Sequence, residues 1–387
     1  MQLLSPLVIA ACLTLFAVAG TPPTKRKVSE AEVQAVHRSA LLIDTHNDVT
    51  SMTVDGFDIG SSGSKHHTDL KRLKAGGVGA VFFAAYVGPE YAASGTSALR
   101  ALQMIDTVRT DIVARHSDNF VLAQSSQEIE AAHKRGRIAA LIGIEGGHAI
   151  ENSLRLLRNF FALGVRYMTL THSNTNHWAD SSGDMAKAGI KHHNGLTDFG
   201  KQVVTEMNRL GMMVDVSHVS DKTFWDALET SRAPVFASHS SCRAICNVPR
   251  NMTDEMIVAM AKKGGVIQIN FYSAFLSQQS ADADRLAETK NSQGRPEVPP
   301  ASLEDAVAHI RHVVQIAGIE AVGIGSDFDG IRSVPTGLED VSKFPNLTRA
   351  LLQEGYSASD IRRIYGGNTL RVMRAVEKTA IELRTQP

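Results

Sequence analysis

The chain has 387 residues, 43% of them hydrophobic and 21% charged, with Lys plus Arg and Asp plus Glu equal at 40 each. That size holds one large α/β domain or two smaller ones, with the composition of an ordinary globular protein. The formal net charge of zero and the lack of any long basic run leave no electrostatic case for nucleic acid or an anionic membrane as a partner.

The chain opens on an apolar stretch, Leu3 to Ala19, whose end, Ala17-Val18-Ala19 and then Gly20, supplies the small residues that suit signal peptidase. Residues 1–20 therefore read as a signal peptide and 21–387 as the mature domain, exported to a periplasm or secreted, with no stable membrane anchor after cleavage. The segment lacks an N-terminal Lys or Arg, so an uncleaved anchor is the alternative; Ile9-Ala10-Ala11-Cys12 also faintly resembles a lipid-attachment site. Beyond it only Cys242 and Cys246 remain, and their spacing reads as buried small residues or free thiols, not a structural bridge or zinc finger.

Ser29 to Ala40 reads as a helix, with Ser29 as its cap and Glu32 three residues on. The first strand ends at His46 and Asp48, and residues 50–67 read as loop. A short helix, Thr68 to Ala75, precedes the second strand, Val78 to Val87, and a helix from Ser97 to His116 follows. Glu128 to Gly136 is helical, and the third strand ends at Glu145. Ser153 to Leu163 is helical, and the fourth strand ends at Thr171, just before His172. After a polar stretch, 173–194, come a helix from Thr197 to Leu210 and a fifth strand ending at His218. Asp221 reads as the cap of the next helix, and the sixth strand ends at His239. Thr253 to Lys263 is helical, Gly265 to Phe271 is the seventh strand, and residues 278–300 read as a loop insertion. A helix from Ser302 to Ala317 leads to the eighth strand, which ends at Asp327, and Ser357 to Thr379 is a helical segment interrupted at Gly366-Gly367.

Eight strands alternating with helices, and no compositional break, predict an α/β fold of one domain, a closed (β/α)8 TIM-type barrel. A barrel fits better than an open sheet because candidate functional residues come from most of the strands, not from one switch point. No GxGxxG follows the first strand, which removes the usual dinucleotide reading.

Five apolar runs each stop on a residue that binds metals: His46 and Asp48, Glu145, His218, His239 and Asp327. In an extended segment His46 and Asp48, two apart, point to one side and can share an ion. Imidazole with carboxylate suits Zn2+, and other first-row divalent ions less well. The two oxygens of Glu145 can each serve a different ion. Adjacent strands lie about 4.8 Å apart, so His218 and His239 can share one. One ion would take His46, Asp48 and Glu145, and a second Glu145, His218 and His239; two such ions clamp a hydroxide and a substrate oxygen. His172 can steady an oxyanion, Arg250 can grip a carboxylate, and Asp327 can pass a proton to a leaving amine.

These motifs resemble the membrane (renal) dipeptidase family of zinc metallopeptidases, in its bacterial form, over residues 41–375. They are Asp44-Thr45-His46-Asn47-Asp48, Glu145-Gly146-Gly147, Leu170-Thr171-His172-Ser173-Asn174, Asp215-Val216-Ser217-His218, Ser238-His239-Ser240-Ser241, Asn247-Val248-Pro249-Arg250-Asn251 and Gly325-Ser326-Asp327-Phe328-Asp329-Gly330. The resemblance implies a (β/α)8 barrel with two zinc ions per subunit. It matches His46, Asp48, His218 and His239 to metal ligands, Glu145 to the bridge, and His172, Arg250 and Asp327 to substrate-contacting and catalytic positions. It further implies a homodimer that hydrolyses dipeptides, often with a D-residue on the C-terminal side. The polar tail after Val376 departs from animal members, which carry a glycolipid-anchor signal. The alternatives are another metal-dependent barrel amidohydrolase, acting on N-acyl amino acids, cyclic amides or β-lactams, and a catalytically silent zinc-binding protein on the same scaffold.

Overall fold

The computed structural model describes residues 25–63, 65–289 and 299–385. The signal peptide read at residues 1–20 lies outside them. Nine parallel strands form one sheet: β1 (Leu42–Asn47), β2 (Val78–Tyr86), β3 (Phe120–Leu122), β4 (Ile138–Glu145), β5 (Val165–Thr169), β6 (Met213–Asp215), β7 (Phe236–Ser240), β8 (Val266–Ile269) and β9 (Val322–Ile324). Among the described residues eight follow the order β1-β2-β4-β5-β6-β7-β8-β9, and β3 pairs off this path with β4. The seam between β9 and β1 is drawn together just beyond the strands. There the Asp327 N–H donates to the His46 carbonyl at 3.0 Å and the Asp48 N–H to the Phe328 carbonyl at 2.9 Å. The result is a single-domain, nearly closed TIM-type barrel ringed by helices.

Strand after strand is buried along its length, as expected of parallel strands covered on both faces. Alternation sorts the side chains. On β2, Val81 and Phe83 join the large cluster under the helices, while Ala80 and Phe82 join a second one with Tyr167 and Phe236. On β4, Ala139 and Leu141 belong to that second cluster, so the period of two carries Gly143 and then Glu145 toward the barrel interior.

Helix starts follow local chemistry. Ser29, Asp69, Ser125, Ser153, Thr197, Thr253, Ser302 and Ser357 each cap a helix with a side-chain oxygen. Several sequence readings need correction. Ser220 caps the helix Asp221–Thr230, so Asp221 is its first helical residue and not its cap. Part of the expected loop 278–300 is a helix, Gln278–Thr289, whose polar composition hides it. The expected loop 50–67 contains a helical turn, Thr50–Thr53. The three-residue β3 and the helix Phe344–Gln353 had no sequence reading. Among the described residues, no helix is long and apolar enough to cross a membrane, and Cys242 and Cys246 are free and buried, as expected.

Candidate metal centre at the mouth of the barrel

All eight residues singled out in the sequence meet at the C-terminal ends of the strands, where barrel enzymes keep their sites. Glu145 closes β4 with its two oxygens facing different partners. Oε1 lies 3.0 Å from His218 Nε2 and 3.2 Å from His239 Nε2, and Oε2 lies 3.5 Å from His46 Nε2. Asp48 Oδ2 is 3.2 Å and Asp327 Oδ1 4.0 Å from the same His46 nitrogen. His172 Nε2 stands 3.8 Å from Glu145 Oε1. The rings of His46 and His239 stack with centroids 3.7 Å apart.

Several of these side chains reach the site only through irregular backbone. Strands β6 and β9 end three residues before His218 and Asp327, earlier than the sequence suggests. Both residues adopt left-handed backbone, φ 66° and 63°, a conformation costly for non-glycine residues that concentrates at functional sites. Phe236 packs its ring against Tyr167 inside the barrel, so strict alternation would turn His239 outward. Instead the β7–β8 ladder breaks register between Ala237 and Ser240, and His239 faces the cluster. The β1–β2 ladder breaks register between Asp44 and Asn47, at His46. Such irregularities re-aim side chains beside active sites. The polar stretch 173–194 ties two of the loops together: Ser181 Oγ donates to the His172 carbonyl, and Ser182 Oγ donates to the His218 carbonyl at 3.0 Å.

A second layer of residues, to which the sequence reading assigned no role, holds the first. The Tyr167 hydroxyl lies 2.7 Å from His46 Nδ1. Ser238 Oγ lies 2.7 Å from His239 Nδ1 and donates to Asp215 Oδ2 at 2.5 Å. Asn270 Nδ2 donates to Asp327 Oδ2 at 2.7 Å. Gly143 leaves room for the Tyr167 ring, since a Cβ there would stand 2.0 Å from Cζ. Asp215, a carboxylate inside an apolar run, carried the one legible signal.

Charge is arranged in a graded way. Burial pushes His218 and His239 well below the ordinary histidine range, with Arg250 adding to the effect, so both are neutral imidazoles with a lone pair to offer. Burial also depresses His46, but Tyr167, Glu145 and Asp48 outweigh it and raise it well above the ordinary histidine range. Burial opposes ionisation of Glu145, and His46 and His172 overcome it, keeping the carboxylate well below its usual range. Asp327 is driven well above the carboxylate range, chiefly by burial and also by Asp48 and Glu145.

This donor set fits divalent cations. His46 Nε2 is buried without a hydrogen-bond partner and faces carboxylates that favour positive charge. Three overlapping groups have ligand atoms within 4.8 Å of one another: His46, Glu145 and His239; Glu145, His172 and His218; and His46, Asp48 and Asp327. Glu145 and His46 each belong to two of these groups, and His172, read as non-ligating, lies within reach of one. Imidazole nitrogen and carboxylate oxygen are the ligands of zinc and its first-row neighbours.

Arg250 sits behind the histidines. Its Nη2 donates to the His239 carbonyl and its Nη1 to Ser240 Oγ, both at 2.7 Å. Nε is buried without a partner. Burial lowers the guanidinium to about 10, which leaves it charged at neutral pH.

A parallel barrel whose mouth gathers histidines and carboxylates around one shared glutamate defines a metal-dependent hydrolase. Residues 30–387 match the family described as membrane dipeptidase (peptidase family M19), and the chain belongs to it. It is 40% identical over 358 residues to dipeptidase verJ of Clonostachys rogersoniana, covering 89% of this chain and 86% of that protein. It is 34% identical over 377 residues to an uncharacterized dipeptidase of Schizosaccharomyces pombe, covering 93% and 86% respectively. Among solved structures, it is similar to the probable dipeptidase PvdM from Pseudomonas aeruginosa, with TM-score 0.79, 25% identity, and 90% and 98% of the two chains covered. A metallo peptidase from Rhodobacter sphaeroides, liganded with a phosphinate mimic of the dipeptide L-Ala-D-Ala, gives TM-score 0.74 at 26% identity, with 87% and 99% covered. The chain is an enzyme of the metallo-dipeptidase class.

Proposed function

We propose that this enzyme hydrolyses dipeptides with two zinc ions per subunit, and that it accepts a D-residue on the C-terminal side. The carrying observation is the division of Glu145, whose Oε1 faces His218 and His239 at 3.0 and 3.2 Å while Oε2 faces His46 at 3.5 Å. In this reading His46 and Asp48 would hold one ion, His218 and His239 the other, and Glu145 would serve both. When bound, such a pair polarises the scissile carbonyl and lowers the pKa of the attacking water.

The chain's own groups complete the chemistry. His172, at the rim beside Glu145, donates to the developing oxyanion. Arg250 keeps one N–H on each Nη and the Nε–H for the substrate's free carboxylate, which fixes the peptide's orientation. Asp327, pinned through Oδ2 by Asn270, takes the proton of the attacking water and delivers it to the leaving amine. Acceptance of a D-residue is supported by the L-Ala-D-Ala mimic bound to the Rhodobacter sphaeroides relative. Export rests on the apolar segment Leu3 to Ala19, and a homodimer on the family resemblance.

The test is exhaustive chelation, then zinc titration, assayed on L,L and L,D dipeptides beside N-acyl amino acids. Activity should vanish and return in full at two zinc ions per chain. Dipeptide turnover unaffected by metal removal, or turnover of N-acyl amino acids alone, refutes the reading.

A further inference from the structure

We propose that Asp215 is a positioning residue which, through Ser238, sets the ring tautomer of His239. The proposal rests on the zinc reading above only for what His239 binds. Asp215 ends β6, is wholly buried, and accepts four hydrogen bonds. Oδ1 takes the backbone N–H groups of Ser217 and Ser238 at 3.0 and 2.8 Å, and Oδ2 takes the hydroxyls of Thr169 and Ser238, each at 2.5 Å.

With two donors on each oxygen the Asp215 carboxylate only accepts, and a serine hydroxyl has one hydrogen. The Ser238 hydrogen is therefore committed to Asp215. Toward His239 Nδ1, 2.7 Å away, Ser238 Oγ can then only accept. The proton sits on Nδ1 and the lone pair on Nε2, which lies 2.9 Å from His218 Nε2 and 3.2 Å from Glu145 Oε1. That is the form a cation requires. The same segment holds the backbone, since Ser217 Oγ accepts the His239 N–H at 3.1 Å. The other imidazoles differ: Nδ1 of His172 and of His218 is buried without a partner among the described residues. His46 Nδ1 meets the Tyr167 hydroxyl, which can donate or accept and so fixes no tautomer.

Asp215→Asn inverts the relay. Because Oδ1 faces two backbone N–H donors, the amide oxygen must take that place and the amide NH2 must turn toward Thr169 and Ser238. Ser238 then accepts from Asn, and its own hydrogen turns onto His239 Nδ1, forcing the proton to Nε2. In metal-free, 15N-histidine-labelled protein, NMR should show His239 as Nδ1–H in the wild type and as Nε2–H in Asp215→Asn. Equilibrium dialysis with zinc should show one of the two ions weakened by about 10- to 100-fold, with the other unchanged. Ser238→Ala should weaken the same ion by a smaller factor, and Ser238→Thr, which keeps the hydroxyl, should restore it; this pair decides the matter if Asp215→Asn does not fold. Wild-type zinc affinity with an unchanged His239 tautomer, in Asp215→Asn or in Ser238→Ala, overturns the proposal. A wild-type protein that takes up no zinc overturns the zinc reading instead, and the tautomer spectra still decide this one.

Discussion

Gly330 lies in the loop after β9, where a Cβ would stand 2.4 Å from Asp48 Oδ2 and 2.7 Å from Asp327 Oδ1. Ordinary contact begins at 3.4 Å, so in Gly330→Ala the Asp48 carboxylate must retreat by about 1 Å. Neither carboxylate has room to absorb this freely, since Asp48 is packed against His46 and Asp327 is tied to Asn270. A displacement of that size at a reacting centre costs on the order of 100-fold, or about 2.7 kcal/mol of transition-state stabilisation. The φ of Gly330 is not in the left-handed region, so alanine adds no backbone strain there and the fold should persist. The assay is kcat/KM on a dipeptide, measured beside thermal unfolding and bound zinc. We expect turnover to fall by about two orders of magnitude with Tm nearly unchanged. Wild-type turnover in the alanine variant would refute the idea that these two carboxylates work only where they are.

Arg250→Ala should lower kcat/KM on dipeptides with a free carboxylate by roughly 10- to 100-fold, the worth of charge-assisted hydrogen bonds. Dipeptide amides should lose far less, and equal losses on both would strip Arg250 of its assigned role. His309 is buried, accepts the Cys242 N–H at Nδ1 and contacts the Leu276 carbonyl through Nε2; burial lowers its pKa to about 4. Between about pH 4 and 6.5 the unfolded chain therefore binds the extra proton. His309 thus costs stability as pH falls through that window, up to about 3 kcal/mol, and adds no pH dependence above it. Urea unfolding of wild type and His309→Gln across that range should show a shallower acid slope in the variant; identical slopes would contradict the assignment.

Much of the site was legible because buried parallel strands are written as unbroken apolar runs, and a charged or imidazole side chain at the end of such a run stands out. Leu141-Ile142-Gly143-Ile144-Glu145 announces both a strand and its functional end. The helix Gln278–Thr289 stayed hidden because most of its residues are polar. So did β3, which is too short at three residues to show a period. Tyr167 gave no sign of its role, since a strand tyrosine in an apolar run is ordinarily core.

The sequence alone determined which side chains arrive at the barrel mouth: burial selects the strands, and the strand ends carry the imidazoles and carboxylates. It did not determine where those side chains point. His239 faces the cluster because the ladder slips by a residue between Ala237 and Ser240, and His218 and Asp327 turn inward on left-handed backbone. Asp215 reaches His239 only across two neighbouring strands. Direction and proton placement depend on contacts between segments distant in the chain, and local preference contains no term for them.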